Sequence, residues 1–178
     1  IVPGSTTKFA VRSNKMYEKI ATQVAQICNS VPGNSAVFFP SYKILEDVNA
    51  YLNKICEKTM LVEQAGLMKA EKEEMLDKFK KYKDSGAVLL GASAGSFGEG
   101  IDLIGDYLKA VVVVGLPLAR PNIETQALID YYDKKYQRGW DYGYIFPALI
   151  KVMQNAGRCI RSETDKGVIA FIDERYKW

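Results

Sequence analysis

The chain has 178 residues, 48% of them hydrophobic and 25% charged, which suits one globular domain able to bury a sizeable core. Its 24 Lys and Arg against 21 Asp and Glu leave a net charge of +3, unlike the large excess of a histone-like basic protein. With no histidine there is no Ser–His triad and no His-ligated metal, and Cys28, Cys56 and Cys159 form no CxxC or metal spacing, so free, mostly buried thiols in a reducing compartment are expected.

In chain order, apolar residues at 16, 20, 24 and 27 predict a helix over 14–30, with Ser13 or Asn14 as its cap. VPGN at 31–34 is a turn, and AVFF at 36–39, stopped by Pro40, reads as a buried strand. Ser41 caps a second helix expected to reach Cys56, and 59–64 is a strand. A third helix is expected over 69–84, with Met75, Leu76, Phe79 and Tyr82 inward and the pairs Glu74–Lys78 and Asp77–Lys81 on a solvated face. Strands follow at 87–92 and 110–116, helices at 122–137 and 147–162, and a last strand at 167–173. The stretch YYDKKYQRGWDYGY at 131–144 reads as merely tyrosine-rich. The longest apolar run, 110–119, falls short of the ~20 residues that span a bilayer, and no signal peptide is visible. The abrupt start reads as a cut inside a longer protein.

Uniformly apolar strands alternating with helices predict an α/β domain whose mostly parallel sheet is covered on both faces, with ligands at the carboxyl ends of the strands. GSFGEGID at 95–102 lies at that edge. It lacks the GK[ST] of a Walker A loop, and Leu103 stands where a dinucleotide fingerprint needs a third glycine. By itself it is no phosphate cradle, and a strand-end turn accounts for it. The second constellation is QNAGRCIRSETDKG at 154–167. On a continuous helix Gln154, Arg158 and Arg161 share an arc of about 60°, opposite Leu149, Val152, Met153, Ala156, Cys159 and Ile160. Gly157, taken as mid-helical, costs ~1 kcal/mol relative to Ala and points to a close approach there. An outward face of any amphipathic helix also presents arginines. Guanidinium forks nevertheless match phosphate oxygens, so this face can stabilise a phosphoryl group held by another domain.

VFFPSY (37–42), GSFGEGIDL (95–103) and QNAGRCIRSETDKGVIAFIDERY (154–176) resemble motifs IV, V and VI of the XPD/DinG group of superfamily 2 DNA helicases, and the intervening GLPLARPN agrees. The resemblance covers nearly the whole chain. It implies a RecA-like fold and the second, C-terminal motor domain over 1–178. The first RecA-like domain, an arch and an iron–sulfur cluster are expected in the missing part, together with both Walker motifs. It implies ATP with Mg²⁺ in a cleft shared with that first domain, 5′-to-3′ movement on single-stranded DNA, repair proteins as partners, and a cytoplasmic location, nuclear in a eukaryote. By position, Arg158 and Arg161 resemble arginine fingers and Gln154 the motif VI glutamine. Gly100 and Asp102 resemble the motif V pair at the nucleotide edge. Ser41, Tyr42, Ser96 and Phe97 fall where the family tracks DNA. The alternative is a RecA-like module that binds nucleic acid without ATP chemistry.

Overall fold

The computed structural model describes residues 1–98, 107–118, 120–160, 163 and 165–177. Five stretches rich in apolar residues form one parallel sheet: β1 (Ser35–Phe39), β2 (Thr59–Val62), β3 (Ala87–Ala92), β4 (Ala110–Val114) and β5 (Val168–Ile172), ordered β2-β3-β1-β4-β5. The three central strands are buried at every residue, as continuous apolar runs require when both faces are covered. The edge strands β2 and β5 keep exposed residues.

Alternation along the strands feeds two cores. Val37, Phe39, Leu90, Val112 and Val114 face α1 (Asn14–Ser30) and α2 (Tyr42–Leu52), whose Ile20, Val24, Ile44, Leu45 and Val48 complete the first core. Ala36, Phe38, Leu89, Val111 and Val113 point the other way, into a second core with Phe79 of α3 (Lys69–Lys81) and Val152 of α5 (Phe146–Ala156). The result is the expected three-layer α/β domain. Its caps follow the sequence: Ser13 Oγ accepts from Met16 N–H and Ser41 Oγ from Ile44 N–H.

Several helices end earlier than their periodicity predicts. The second stops at Leu52 rather than Cys56, and the third at Lys81 rather than residue 84. Met75, Leu76, Phe79 and Tyr82 do line the second core. Asp77 pairs with Lys80 at 3.6 Å rather than with Lys81. The largest correction concerns the motif VI helix, which ends at Ala156 instead of reaching 162. Gly157 is therefore its C-terminal cap, and among the described residues nothing outside its own helix lies close to where a side chain would begin. Gly157 is not mid-helical and carries no mid-helical cost. Arg158 sits in the following turn, so the shared helical arc does not extend to it. Met153 and Ile160, expected in the core, are 62% and 45% exposed.

The tyrosine-rich stretch is an ordered helical unit. Asn122 caps α4 (Ile123–Tyr136) by accepting from Thr125 N–H, and Gln137 ends the helix in the left-handed region. A π-helical turn over Asp141–Ile145 then leads into α5. It can cross α4 closely because Gly143 has no Cβ, which would lie 2.6 Å from the Ile129 nitrogen. Tyr132, Tyr136, Tyr142 and Phe146 pack ring against ring along this unit.

All three cysteines are free thiols; burial pushes Cys28 up to about 12, which keeps it protonated and inert. Among the described residues no helix is long and apolar enough to cross a membrane.

Candidate functional site

All five strands point their carboxyl ends to one edge of the sheet. There the chain leaves β1 through Pro40 and Ser41 into α2, leaves β3 into the glycine loop, and leaves the two edge strands at Glu63 and Asp173. Neither acid was singled out by its sequence, and each organises one side of the edge.

Glu63 follows β2 and is 2% exposed. Its Oε2 accepts from Ala92 N–H at 2.9 Å, and its Oε1 from Phe97 N–H at 3.2 Å and from the Tyr42 hydroxyl at 3.1 Å. Burial first, then the Glu63 carboxylate, raises the Tyr42 phenol above its ordinary value, so the hydroxyl stays a donor; a hydrogen bond with the Ser96 backbone acts in the opposite sense. Gly95 closes over this centre. A Cβ on it would lie 2.6 Å from both Glu63 Oε2 and the Tyr42 hydroxyl. Gly95→Ala should therefore destabilise the domain by about 1–3 kcal/mol, read as a lower midpoint with unchanged slope in a denaturant melt.

Asp173 follows β5 and is 0% exposed. Arg175 grips both its oxygens at 2.8 Å, and Thr7 N–H donates to Oδ2 at 2.8 Å. Thr6 and Thr7 add their hydroxyls. The N-terminal segment is thereby fastened beside β5, where Val2 N–H also reaches Phe171 O. Tyr176 completes this side by donating to Gly115 O at 2.7 Å, just past β4. Burial tends to raise the Asp173 carboxyl, but the hydrogen bonds from Arg175 and Thr7 and the guanidinium charge outweigh it and hold it below the usual carboxylate value.

The predicted site residues divide into three sets. Tyr42, the 92–98 loop and Arg158 come together: Arg158 Nη2 donates to Gly98 O at 2.6 Å, at the far end of the loop that Glu63 holds. Ser41 and Ser96 are half-buried at the same edge, with the Ser41 oxygen engaged as the α2 cap. Phe97 needs correction as a DNA-tracking side chain: it is 0% exposed, because the turn after β3 drives its ring into the second core. Its N–H is taken by Glu63 Oε1. The Lys72 ammonium lies 5.7 Å from that ring's centroid. A shallow recess lined by Lys69, Lys72, Ala94, Gly95 and Ser96 runs between α3 and the loop. Gln154 is exposed in the last turn of α5, beside Ile150 and Met153. Gly100, Asp102 and Arg161 lie outside the described residues.

Chemically, this edge offers hydroxyls, two lysines and a guanidinium, a set suited to phosphate oxygens, while the N–H groups of Ala92, Ser93, Gly95, Phe97 and Gly98 are already engaged within the protein. Among the described residues there is no group of three or more Cys, Asp or Glu that could hold a metal ion.

Residues 24–178 match the helicase C-terminal domain family. The chain is 32% identical over 187 aligned positions to the XPD helicase subunit of general transcription and DNA repair factor IIH from Dictyostelium discoideum, covering 96% of this chain and 23% of that protein. It is 26% identical to the ATP-dependent DNA helicase XPD of Sulfolobus acidocaldarius, covering 97% of this chain and 30% of the relative. A solved XPD helicase structure superposes with a TM-score of 0.77 at 24% identity, covering 98% of this chain and 31% of that one. The chain thus spans less than a third of the length of these proteins.

Proposed function

This chain belongs to the helicase C-terminal domain family, in the XPD/DinG group of superfamily 2, and from that premise we propose that it is the second motor domain of an ATP-dependent DNA helicase. The observation that carries the reading is the 92–98 loop. One end is held by Glu63 beside Tyr42 and Ser96, the groups expected on the DNA, and the other by Arg158, the group expected at the γ-phosphate. A loop fastened to both can transmit the state of one ligand to the other.

In this reading ATP and Mg²⁺ are seated by a first RecA-like domain of the same polypeptide, which also carries the iron–sulfur cluster. Arg158 and Arg161 stabilise the transferring phosphoryl group across the cleft, with Gln154, Gly100 and Asp102 nearby. Movement is 5′ to 3′ along single-stranded DNA, and the relative named as a helicase subunit of a DNA repair factor supports a repair role with protein partners.

The isolated chain should hydrolyse no ATP, with or without DNA, because it has no Walker lysine to seat the phosphates. Steady DNA-stimulated turnover by the purified chain, unchanged by Arg158→Ala, would overturn the two-domain reading. Single-stranded DNA should bind weakly and with salt sensitivity, since the net charge is only +3. Each phosphate engaged contributes about −0.7 to the log–log salt slope. Oligothymidylate titrations at several salt concentrations check this, and tight salt-independent binding contradicts it.

A further inference from the structure

We propose that Glu63 is a positioning residue for the DNA edge: its buried carboxylate sets the turn at 40–42 and the loop at 92–98 in one fixed relation. The inference rests on the reading of that edge as a DNA track. Its three donors come from separate parts of the chain, Tyr42 at the start of α2, Ala92 at the end of β3 and Phe97 in the loop beyond. The two backbone donors address different oxygens, so the carboxylate works as a two-ended clamp.

Placing an acid here is costly for a fold that needs only packing. An ionisable group at 2% exposure requires its hydrogen bonds to be tolerable at all. What an apolar residue cannot do is orient two N–H groups and a phenol at once. With them held, the Ser96 backbone and the Tyr42 ring stay in a single arrangement before any strand arrives. Binding then loses less conformational freedom, which is the benefit of preorganisation. Gly95 is part of the same device, since any side chain there meets the carboxylate.

Glu63→Gln tests this in the 178-residue chain, whose two cores close within itself. Glutamine keeps the volume but has one acceptor oxygen, so one backbone N–H faces an NH₂ group and loses its partner. Amide exchange at Ala92 or Phe97 should quicken by at least about tenfold, while amides of β1 and β4 keep their protection. Affinity for oligothymidylate should fall by about tenfold with the salt slope unchanged, because the phosphates engaged are the same. Glu63→Asp should not rescue, being one methylene too short. Tyr42→Phe, which removes only a hydroxyl, should leave the fold intact and give a smaller loosening in the same segment; it carries the test if Glu63→Gln does not fold. Unchanged exchange at 92–97 in the folded variants, or quickened exchange with undiminished affinity, overturns the proposal. A wild-type chain that binds no oligothymidylate overturns the DNA reading instead, and the exchange of the loop then decides the role of Glu63 alone.

Discussion

Arg158→Ala in the full-length helicase is expected to reduce DNA-stimulated ATP hydrolysis by about 10³–10⁵, the range over which arginine fingers act in other NTPases. Negative charge spreads over the γ-phosphoryl oxygens as the bond to the leaving oxygen lengthens, and a guanidinium fork supplied across the cleft stabilises it there. Arg158→Lys should recover little, since a point charge cannot reproduce two parallel N–H···O bonds. Arg158 also holds Gly98 O, so a competing explanation is specific: the side chain serves only to anchor the loop. The two differ in magnitude. Loss of that hydrogen bond should lower stability by about 1 kcal/mol, far too little for the expected drop in rate. Steady-state turnover and a thermal melt on the same preparation separate them. Activity that falls only in step with melting temperature assigns Arg158 to the loop alone. Near wild-type turnover in a well-folded variant removes it from the chemistry altogether.

Asp173→Ala should be the most damaging single change to the fold outside the apolar cores. It leaves the Arg175 guanidinium, 19% exposed, without its carboxylate and strips Thr6 and Thr7 of their acceptor. Breaking a buried pair by removing one partner costs about 3–5 kcal/mol, a large part of the ~5–15 kcal/mol that keeps a domain folded. For a chain of this size the melting temperature should fall by roughly 10 °C or more. The same carboxylate gives stability a pH dependence of defined sign. Its value is lowered in the folded state, so its contribution is fully present above the unfolded carboxyl value of about 3.9 and is lost as pH falls through the lower, folded value. Denaturant melts at pH 7 and near pH 3 check both statements. Wild type should lose more stability between them than Asp173→Asn, which has no such proton to take up. Equal losses in the two proteins would show that Asp173 does not carry the acid sensitivity.

Loss of Asp173 and loss of Glu63 should differ in kind. Asp173 holds the N-terminal segment through hydrogen bonds from Thr6 and Thr7 and also pairs with Arg175, so its removal is felt globally. Glu63 ties one turn to one loop, so its removal is felt where those two meet.

Apolar runs such as 87–92 and 110–114 were enough to specify buried parallel strands, and Ser13 and Ser41 were enough to start two helices. These signals are local: a cap hydroxyl meets an N–H three residues on, and a strand's pattern is read from its own side chains. The alternation of apolar strands with helices also pointed to the carboxyl edge of the sheet, and the three motifs resembled those of the helicase family. Where α5 stops was not encoded in its periodicity, which runs on through Cys159 while the chain turns away at Gly157. Met153 obeys the helical pattern yet faces outward, because the direction in which α5 meets the sheet decides which residues of its apolar stripe are covered. Phe97 falls where the family tracks DNA, but the turn after β3 sends its ring inward. The two carboxylates were the least visible of all. Glu63 finds its partners 21, 29 and 34 residues away, and Asp173 finds Thr7 at a separation of 166. No local rule marks such acids, since they become a clamp and a fastener only when the sheet carries distant strand ends to one edge and excludes water from them.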